Sequence, residues 1–421
     1  MAVSPARRAA FAILLQVEQA GSFVDELLHG GRLETLEERD RALAAEIVLG
    51  VLRRRGALDA RIEQIARRAA AKLDAEVRIA LRMGLYQQIY LERIPSHAAV
   101  SESVELVKRG PKRSAAGLVN AVLRKGGSAP DETDEAGLNH PAWLVERWKR
   151  NLGEDAAQAL MLANLERPDT WLRLNVRHDT EETLASLRTE GVESEPSEFL
   201  WARRLTSGRP EHTRAWREGR VRIQDIGSQA IAPLLGLEPG MRLLDLCAAP
   251  GGKTQHAVEL LGGYDGVVAC DLHPARLRRM RELGFQGNMV ALDAVRGFAL
   301  RSRFDRVLLD APCSGTGTLG RNPDLKWRLT PEDIPRLAAL QHRLLSRALD
   351  LVEPGGALVY STCSLEPEGE RRGHRRGIAR AAAMARRRQA RAYTRPQPRR
   401  RLSRVSPGQR PRPDQRVTMT G

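Results

Sequence analysis

Residues 243–254 read Leu-Leu-Asp-Leu-Cys-Ala-Ala-Pro-Gly-Gly-Lys-Thr, and this stretch decides the fold. Its apolar start predicts a buried strand, its two glycines predict a tight turn, and the residues that follow Lys253 predict a helix. A strand that passes through a glycine turn into a helix is typical of α/β proteins that bind a nucleotide-like cofactor. The sequence therefore predicts an α/β domain with a cofactor site at this turn.

Two cysteines follow other apolar runs of the same kind. Cys313 lies in the segment Asp-Ala-Pro-Cys-Ser after the run Val307 to Leu309, and Cys363 lies in Ser-Thr-Cys-Ser after a run that starts at Gly356. In open α/β sheets the ligand crevice lies at the carboxyl ends of the strands. We therefore expect both thiols to face one cleft together with the glycine turn. Their Ser, Thr and Pro neighbours suit a thiolate of low pKa.

Two thiols beside a nucleoside cofactor indicate methylation of a pyrimidine at carbon 5. This carbon of cytosine is a poor nucleophile, but a thiolate that adds to C6 allows C5 to attack an electrophilic methyl group. The adduct must then lose the C5 proton and release the sulfur, which gives a second ionisable group a function. We therefore expect the two cysteines to have different roles.

Other site chemistries fit the sequence less well. None of the four cysteines forms the close pair typical of structural zinc, so we expect no metal. Four cysteines in 421 residues, without an apolar signal segment, favour a reduced, cytoplasmic protein. No apolar run reaches the ~20 residues of a membrane span. A P-loop nucleotidase is the strongest rival, because Gly252-Lys253-Thr254 ends like its phosphate loop, but the required glycine is replaced by Cys247.

Three motifs in order carry a resemblance to a known family: residues 246–254, Asp310 to Ser314 and Thr362 to Ser364. Together they resemble the RNA 5-methylcytosine methyltransferases that use S-adenosylmethionine, and among these the RsmB (Sun or Fmu) family of small-subunit ribosomal RNA methyltransferases. The resemblance covers roughly residues 5 to 370. It implies a Rossmann-like methyltransferase domain, an RNA substrate and S-adenosylmethionine as cofactor.

The resemblance also implies roles for individual residues. In the family the cysteine at the position of Cys363 is the nucleophile, the one at Cys313 assists product release, and the acid at Asp310 lies near the methyl group and the target base. Asp271 would hold the ribose hydroxyls and Asp293 the adenine side. The turn that would contact the cofactor consists of Cys247, Ala248, Ala249, Pro250, Gly251, Gly252 and Lys253.

Several of these residues have a structural alternative. Free cysteines are often core residues, and we interpret Cys270 in this way. For Cys247 we expect a backbone contact to the cofactor rather than thiol chemistry. Asp293 could instead cap the following segment. Lys253 is expected to pair with an acidic group of the cleft rather than with a phosphate.

The net charge of +16 does not describe the whole chain. Residues 371–421 contain 17 arginines and one acid, whereas residues 1–370 are neutral overall. Within that neutral part, residues 1–130 carry 21 bases and 15 acids. This mild excess marks the first segment as the place to expect an RNA-facing surface.

Residues 1–130 have a helical pattern. Ala10, Ile13, Leu14 and Val17 recur at helical spacing, and no alternating strand pattern interrupts the segment. Stretches such as residues 41–50, 81–86 and 117–124 are similar to the NusB fold, an all-helical RNA-binding module that RsmB-like enzymes carry at this end. A plain helical bundle that only stabilises the enzyme is the alternative.

Residues 131–225 are expected to form a linker and a small α+β subdomain. The Gly, Ser, Pro and acid-rich stretch from Gly126 to Glu135 predicts the linker, and residues 170–176 predict a strand. In the family this region touches RNA, which suggests Arg173 and Asn175 as contacts, with solvated surface as an equal alternative.

A glycine-rich segment follows Cys313 and ends in Lys326, Trp327 and Arg328. Aromatic and arginine planes are common partners of a base that has left its stack. We therefore predict that these three residues clamp the target base, with a mobile surface loop as the alternative.

Residues 371–421 depart from the family. The helix and two strands with which the family continues are absent, and the arginine-rich composition favours a disordered tail. We expect a reading-frame shift near codon 371, and an arginine-rich arm that binds RNA phosphates is the alternative.

The sequence thus predicts a NusB-like domain (1–130), a linker and small subdomain (131–225), a Rossmann-like methyltransferase domain (226–370) and a tail (371–421). We expect a monomer that forms 5-methylcytosine in RNA, most simply 16S ribosomal RNA. A catalytically inactive RNA-binding or assembly factor with the same fold is the second hypothesis.

Overall fold

The structure is a computed structural model, and it describes residues 3–28, 31–126, 132–296 and 302–369. The predictions for the tail, residues 371–421, lie outside the described residues. Within the described part, three groups of elements follow one another along the chain: helices, a small antiparallel sheet with helices, and a parallel sheet with helices on it.

The described residues of the first group are helical and form the α-helices α1 (Pro5–Gln19), α2 (Val24–Leu28), α3 (Gly31–Glu34), α4 (Glu38–Arg53), α5 (Arg55–Ala66), α6 (Ala75–Tyr90), α7 (Ser96–Arg109) and α8 (Ala116–Lys125). Its core is one cluster of buried apolar side chains, to which α1 contributes Ile13 and Leu14 at helical spacing. Helix α6 lies in the centre, because nearly all its residues from Val77 to Gln87 are buried. An all-helical domain was predicted here.

Three helices connect the first group to the small sheet: α9 (Glu132–Leu138), α10 (Ala142–Leu152) and α11 (Glu154–Ala163). Helix α9 corrects the predicted linker, since part of the stretch up to Glu135 is helical. The apolar face of α10, with Leu144 and Trp148, packs against α11 and against Leu319 from the segment that follows Cys313. Apolar burial therefore ties this region to the catalytic half.

The small sheet has four antiparallel strands in the order β2-β3-β1-β4. Its elements are β1 (Trp171–Leu174), α12 (Thr180–Thr189), β2 (Glu193–Pro196), β3 (Ala202–Ser207), α13 (Arg214–Arg217) and β4 (Val221–Ile223), and the short helix α14 (Ile226–Gln229) follows. Leu172 and Leu174 of β1 pack with Leu184 and Leu187 of α12. The predicted α+β subdomain is thus present.

Among the described residues, the last group is a five-stranded parallel sheet in the order β7-β6-β5-β8-β9. Its elements are β5 (Leu243–Asp245), α15 (Gly252–Leu261), β6 (Val267–Asp271), α16 (Pro274–Glu282), β7 (Asn288–Ala291), β8 (Phe304–Asp310), α17 (Asp333–Asp350) and β9 (Val352–Ser361). Two separate clusters of buried apolar side chains cover the two faces of the sheet. The central strands β5, β6 and β8 are therefore buried on both faces, which is why their sequences are mostly apolar. The order reverses at β5, and β5 leads into the glycine turn.

Gly251 sets the course of the chain from β5 into α15. Its φ of +107° is a conformation that glycine adopts without strain. A Cβ at this position would also lie 2.8 Å from the Cγ of Met280 on α16. Thr254 then secures the turn, since its Oγ1 donates to the Oδ2 of Asp245 at 2.7 Å. None of the helices in the described ranges is long and apolar enough to cross a lipid bilayer.

Candidate active site

The two predicted cysteines lie against each other at the carboxyl edge of the parallel sheet. Cys313 follows the end of β8 and Cys363 follows the end of β9, which are neighbouring strands. Their Sγ atoms are 3.1 Å apart, Cys363 is exposed and Cys313 is partly buried. The two thiols therefore meet at one edge of the sheet as expected, and their opening into a shared cofactor cleft stays a prediction.

The two sulfur atoms titrate as a pair. A hydrogen bond from Cys363 lowers the pKa of Cys313, although burial opposes this effect. The same hydrogen bond, together with burial, raises the pKa of Cys363 well above its ordinary value. The pair therefore loses its first proton more readily than an isolated cysteine does and its second proton less readily. This arrangement favours one thiolate, the nucleophilic form of sulfur, beside one thiol.

Buried hydroxyl groups connect the two cysteine loops. The Oγ of Ser314 lies 2.8 Å from the Oγ of Ser364 and 3.2 Å from the Oγ1 of Thr316. Ser314 and Thr316 are both buried. In addition, the Gly317 N–H donates to the backbone oxygen of Cys363 at 2.9 Å. The same network therefore positions both loops, and with them both sulfur atoms.

Asp310, the last residue of β8, accepts two hydrogen bonds. The Nζ of Lys253 lies 2.5 Å from its Oδ2, and the Oγ of Ser361 donates to its Oδ1 at 2.8 Å. Burial alone would lower the pKa of Lys253, but the Asp310 carboxylate raises it overall, so this amine stays a cation. The prediction that Lys253 pairs with an acid is confirmed. Its charge also acts to lower the pKa of Cys363.

Asp245 is an acidic residue of the site that the sequence analysis missed. It ends β5, is buried, and accepts hydrogen bonds from the Oγ1 of Thr254 and from the N–H of Cys247. Burial raises the pKa of Asp245 to about 7, since it outweighs the opposing hydrogen bond from Thr254, and Asp310 adds to the rise. The sequence does contain a sign of this role, because Asp245 is the one charged residue inside the apolar run from Leu243 to Leu246.

A second buried carboxylate joins the glycine turn to the end of β6. The Oδ2 of Asp271 accepts the N–H of Ala249 at 3.2 Å, and its Oδ1 accepts the N–H of His273 at 2.9 Å. Arg276 on α16 completes this connection, because one of its nitrogens lies 3.5 Å from Asp271 and another donates to the backbone oxygen of Ala249.

Comparison with known proteins gives consistent matches along the chain. The sequence model described as 16S rRNA methyltransferase RsmB/F matches residues 232–395, the NusB family model matches residues 4–126, and the model of an RsmF/B-like ferredoxin-like domain matches residues 140–208. Ribosomal RNA small subunit methyltransferase B of Escherichia coli O157:H7 is 37% identical over 350 residues, which cover 80% of this chain and 81% of that protein. The chain belongs to the RsmB/F family of methyltransferases.

Further relatives agree with this assignment. The RsmB-type protein of Salmonella typhi is 36% identical over 378 residues and covers 86% of this chain and 87% of its own length. The crystal structure of the protein PH0851 has a TM-score of 0.71 and 26% identity, and the match covers 88% of both chains. The RsmB/F match runs to residue 395, beyond residue 370, where we expected the resemblance to end.

The RsmB/F family uses S-adenosylmethionine, and the glycine turn fits this cofactor. Each oxygen of Asp271 accepts one backbone N–H, so each retains a lone pair for a ribose hydroxyl. Burial and the nearby carboxylates raise the pKa of Cys247, which keeps this thiol protonated and agrees with a backbone role.

Cys270 and Asp293 also have clear structural roles. Cys270 is fully buried in the core, as predicted, and burial raises its pKa to about 12. The Oδ1 of Asp293 accepts the N–H groups of Val295 at 2.9 Å and Arg296 at 3.3 Å. Asp293 therefore caps the segment after β7, which was the structural alternative, and its contact with adenine stays a prediction.

The predicted clamp of Lys326, Trp327 and Arg328 requires a correction. Lys326 is fully buried, and its Nζ donates to the backbone oxygen of Arg53 at 2.9 Å. The Nε1 of Trp327 donates to the backbone oxygen of Leu52 at 2.9 Å, and Arg328 donates to those of Gly21 and Ser22. These side chains satisfy carbonyl groups of the helical domain. They join two domains, and these donors are engaged there rather than free to hold a base.

Arg173, one of the two predicted RNA contacts of the small sheet, requires a similar correction, whereas the contact of Asn175 stays a prediction. Arg173 is buried, forms an ion pair with Glu259 on α15 at 2.6 Å and donates to the backbone oxygen of Gly252 at 3.1 Å. It therefore fastens β1 to the methyltransferase domain. Asn175 is partly exposed, and its Nδ2 donates to the backbone oxygen of Gly219 at 3.1 Å. Because Arg173 is buried, it presents no exposed donor to RNA in this arrangement.

Proposed function

We propose that this protein forms 5-methylcytosine in the RNA of the small ribosomal subunit, with Cys363 as the nucleophile. The approach of two free sulfur atoms to 3.1 Å, beside the Lys253–Asp310 ion pair, carries this proposal. A methyltransferase that alkylates an already nucleophilic nitrogen or oxygen needs no pair of thiols. Addition of sulfur to C6 is what an unreactive C5 requires.

Accessibility favours Cys363 over Cys313 as the attacking group, since Cys363 is exposed whereas Cys313 is partly buried. The hydrogen bond between the sulfurs, together with burial, raises the pKa of Cys363, so the resting pair holds its proton on Cys363 and its negative charge on Cys313. This proton passes to Cys313 across the 3.1 Å between the sulfurs as Cys363 attacks. Asp310, at the end of β8, retains lone pairs that can accept a hydrogen bond from the amino group of a cytosine.

The reaction then balances with the two sulfurs, the methyl donor and water, which takes up the one proton that is released. The Cys363 sulfur bonds to C6, and the ring electron pair moves to C5, which takes the methyl group. S-adenosylmethionine would supply this methyl group as an electrophile when it is bound, and the electron pair of the broken S–CH3 bond would stay on the sulfur of the donor. Cys313, having lost its proton to water, removes the C5 proton. The electron pair of that C–H bond forms the C5–C6 double bond, and Cys363 leaves as a thiolate, which restores one proton to the pair.

The cofactor would lie along the glycine turn. We propose backbone contacts from Cys247 to Lys253, ribose contacts to Asp271, an adenine-side contact to Asp293, and Asp310 next to the methyl group. The buried Asp271 carboxylate, placed between the turn and β6, supports the ribose contact most directly.

We further propose that residues 1–130 bind RNA, that residues 131–225 hold the methyltransferase domain of residues 226–370 to them, and that the protein acts as a monomer. The excess of bases in residues 1–130 supports an RNA-facing surface. Action on ribosomal RNA implies the cytoplasm, where that RNA is assembled.

Methyl transfer to RNA tests the proposal. Protein, small-subunit RNA and isotopically labelled S-adenosylmethionine are incubated. The RNA is then digested to nucleosides, which are separated and identified by mass spectrometry. Labelled 5-methylcytidine is expected with the parent protein and with Cys270→Ala, which removes a buried core thiol that is not part of the sulfur pair, but not with Cys363→Ala. Label in another nucleoside, or equal activity of Cys363→Ala, would refute the mechanism. RNA binding without any transfer would support an inactive assembly factor instead.

A further inference from the structure

A cavity of about 300 Å³ lies between the helical domain and the segment that follows Cys313. Residues of α1, α4 and α6 form one side of it, and Asp324, Trp327 and Arg328 form the other. The same segment begins at the cysteine motif, where the N–H of Gly317 donates a hydrogen bond to the backbone oxygen of Cys363. A ligand in this cavity would therefore contact both the helical domain and the loop that carries a reacting sulfur.

The charged groups around the cavity are compensated except for one. Arg82 pairs with Glu18 and Asp59, and Arg78 pairs with Glu18. Two carboxylates thus balance two guanidinium groups. On the other side of the cavity Arg328 pairs with Asp324.

Arg55 is the uncompensated cation. In the part of the chain that the structure describes, its guanidinium group has no hydrogen-bond acceptor and no ion-pair partner. It lies over the Trp327 ring, 5.1 Å from the ring centre. Burial, followed by the neighbouring Arg82, lowers the pKa of Arg55, and the carboxylates of Glu18 and Asp59, which pair with other arginines, oppose this only in part. The position therefore attracts an anion.

The rest of the wall is apolar. Leu14, Val17, Val51, Leu52 and Ile79 line the cavity beside the Trp327 ring. An inorganic phosphate would satisfy the arginine but would leave this apolar surface uncovered. A nucleotide offers both an anionic phosphate and a flat, weakly polar base, and a volume of about 300 Å³ is at the lower end for small-molecule sites.

We propose that this cavity binds one nucleotide of the RNA substrate, with a phosphate at Arg55 and the base against the apolar wall. The proposal rests on the proposed function, since it assumes an RNA substrate. It places an RNA contact at the junction of the two domains, where the predicted clamp residues hold the loop of Cys313 to the helices. Occupation of the cavity would thereby link RNA binding to the position of the catalytic loop.

Substitution of Arg55 tests the proposal through RNA affinity and its salt dependence. A fluorescent single-stranded fragment of small-subunit RNA is titrated with protein at several salt concentrations. Arg55→Gln is expected to weaken binding about tenfold and to reduce the slope of log K against log salt by about 0.7 to 0.9, because one phosphate contact is lost. Arg55→Lys, which retains the charge, is expected to restore the slope.

Arg39→Gln serves as the matched control. Arg39 is an exposed arginine at the opposite end of α4 from Val51 and Leu52, and its substitution is expected to leave the slope unchanged. In methylation assays Arg55→Gln should raise the KM for RNA more than it lowers kcat.

Two results would overturn the proposal. The first is an Arg55→Gln variant with the affinity and slope of a parent protein that itself binds and methylates RNA, which would leave the proposed function intact. The second is that inorganic phosphate stabilises the parent protein but not Arg55→Gln, while the two proteins bind RNA with equal affinity. This result would assign the site to free phosphate. A parent protein that methylates no RNA would instead refute the proposed function.

Discussion

The Nζ of Lys326 lies 2.9 Å from the backbone oxygen of Arg53 and joins the loop of Cys313 to the last turn of α4. A second hydrogen bond joins the same two segments, since the Nε of Arg53 donates to the backbone oxygen of Gly320 at 2.9 Å. Residues that are more than 260 positions apart in the chain are thus fastened together near the active site. The helical domain therefore supports the catalytic loop directly.

The amine of Lys326 should make stability depend on pH. Burial, with Arg53 and Arg54 nearby, lowers the pKa of Lys326 to about 7. In the unfolded chain lysine keeps its proton to about pH 10. Between these values the unfolded state binds more protons, so the free energy of unfolding rises with pH. Relative to Lys326→Met, the parent protein should gain about 2 kcal/mol between about pH 7.5 and pH 9 in denaturant titrations.

Lys149→Met is the control for this measurement, because Lys149 is a partly exposed lysine in an ion pair with Glu154. Its difference from the parent protein should stay constant over the same range. A constant difference for Lys326→Met as well would show that the Lys326 amine is charged in the folded protein.

The Arg173–Glu259 ion pair should contribute to stability rather than to RNA affinity. Both side chains are buried, so Arg173→Met leaves an uncompensated carboxylate and should cost about 3 to 5 kcal/mol of unfolding free energy. Arg173→Met combined with Glu259→Met should cost less than the sum of the single changes. Additive losses, or a loss of RNA affinity without a loss of stability, would restore Arg173 as an RNA contact.

The sequence predicted the fold where local patterns determine it. The run before Cys247 and the glycine turn predicted β5 and α15, and the helical spacing of Ile13 and Leu14 predicted the all-helical domain. The meeting of Cys313 and Cys363 also followed, because parallel strands end at one edge. Helix α9 was missed, since its acids and glycine resemble those of a linker.

Contacts between distant segments could not be predicted in this way. Lys326 and Arg173 look like surface cations in the sequence, and nothing near them shows that a backbone oxygen of α4 or a glutamate of α15 will cover them. Burial of a charge is decided by docking between domains, which local periodicity does not describe. Asp245 escaped notice for a related reason, because its burial depends on strands at both sides.

The sulfur pair should show coupled titration. Alkylation of Cys313 by iodoacetamide, followed site by site with mass spectrometry, should show a midpoint below that of an ordinary cysteine, because Cys363 lowers the pKa of Cys313. In Cys363→Ala this midpoint should move to higher pH, since the hydrogen bond is lost. A midpoint that does not move would show that the sulfurs are uncoupled.

Asp271 should be important for cofactor affinity. Asp271→Ala removes the proposed ribose acceptor and the link to the Ala249 N–H, so S-adenosylmethionine should bind about 10 to 100 times more weakly in calorimetry. Asp293→Asn, at a partly exposed cap, should have a smaller effect. Equal effects of the two changes would contradict the assignment of the ribose to Asp271.

A covalent link between RNA and protein tests the central claim most directly. Cys313→Ala is incubated with small-subunit RNA and S-adenosylmethionine, denatured, and digested for mass spectrometry of RNA-linked peptides. Release of the product is proposed to need Cys313. We therefore expect the Cys313→Ala protein to accumulate an adduct of a methylated cytidine on Cys363, and the parent protein to accumulate much less of it. No adduct from a Cys313→Ala protein that still binds RNA and cofactor, or an adduct on a residue other than Cys363, would contradict the account.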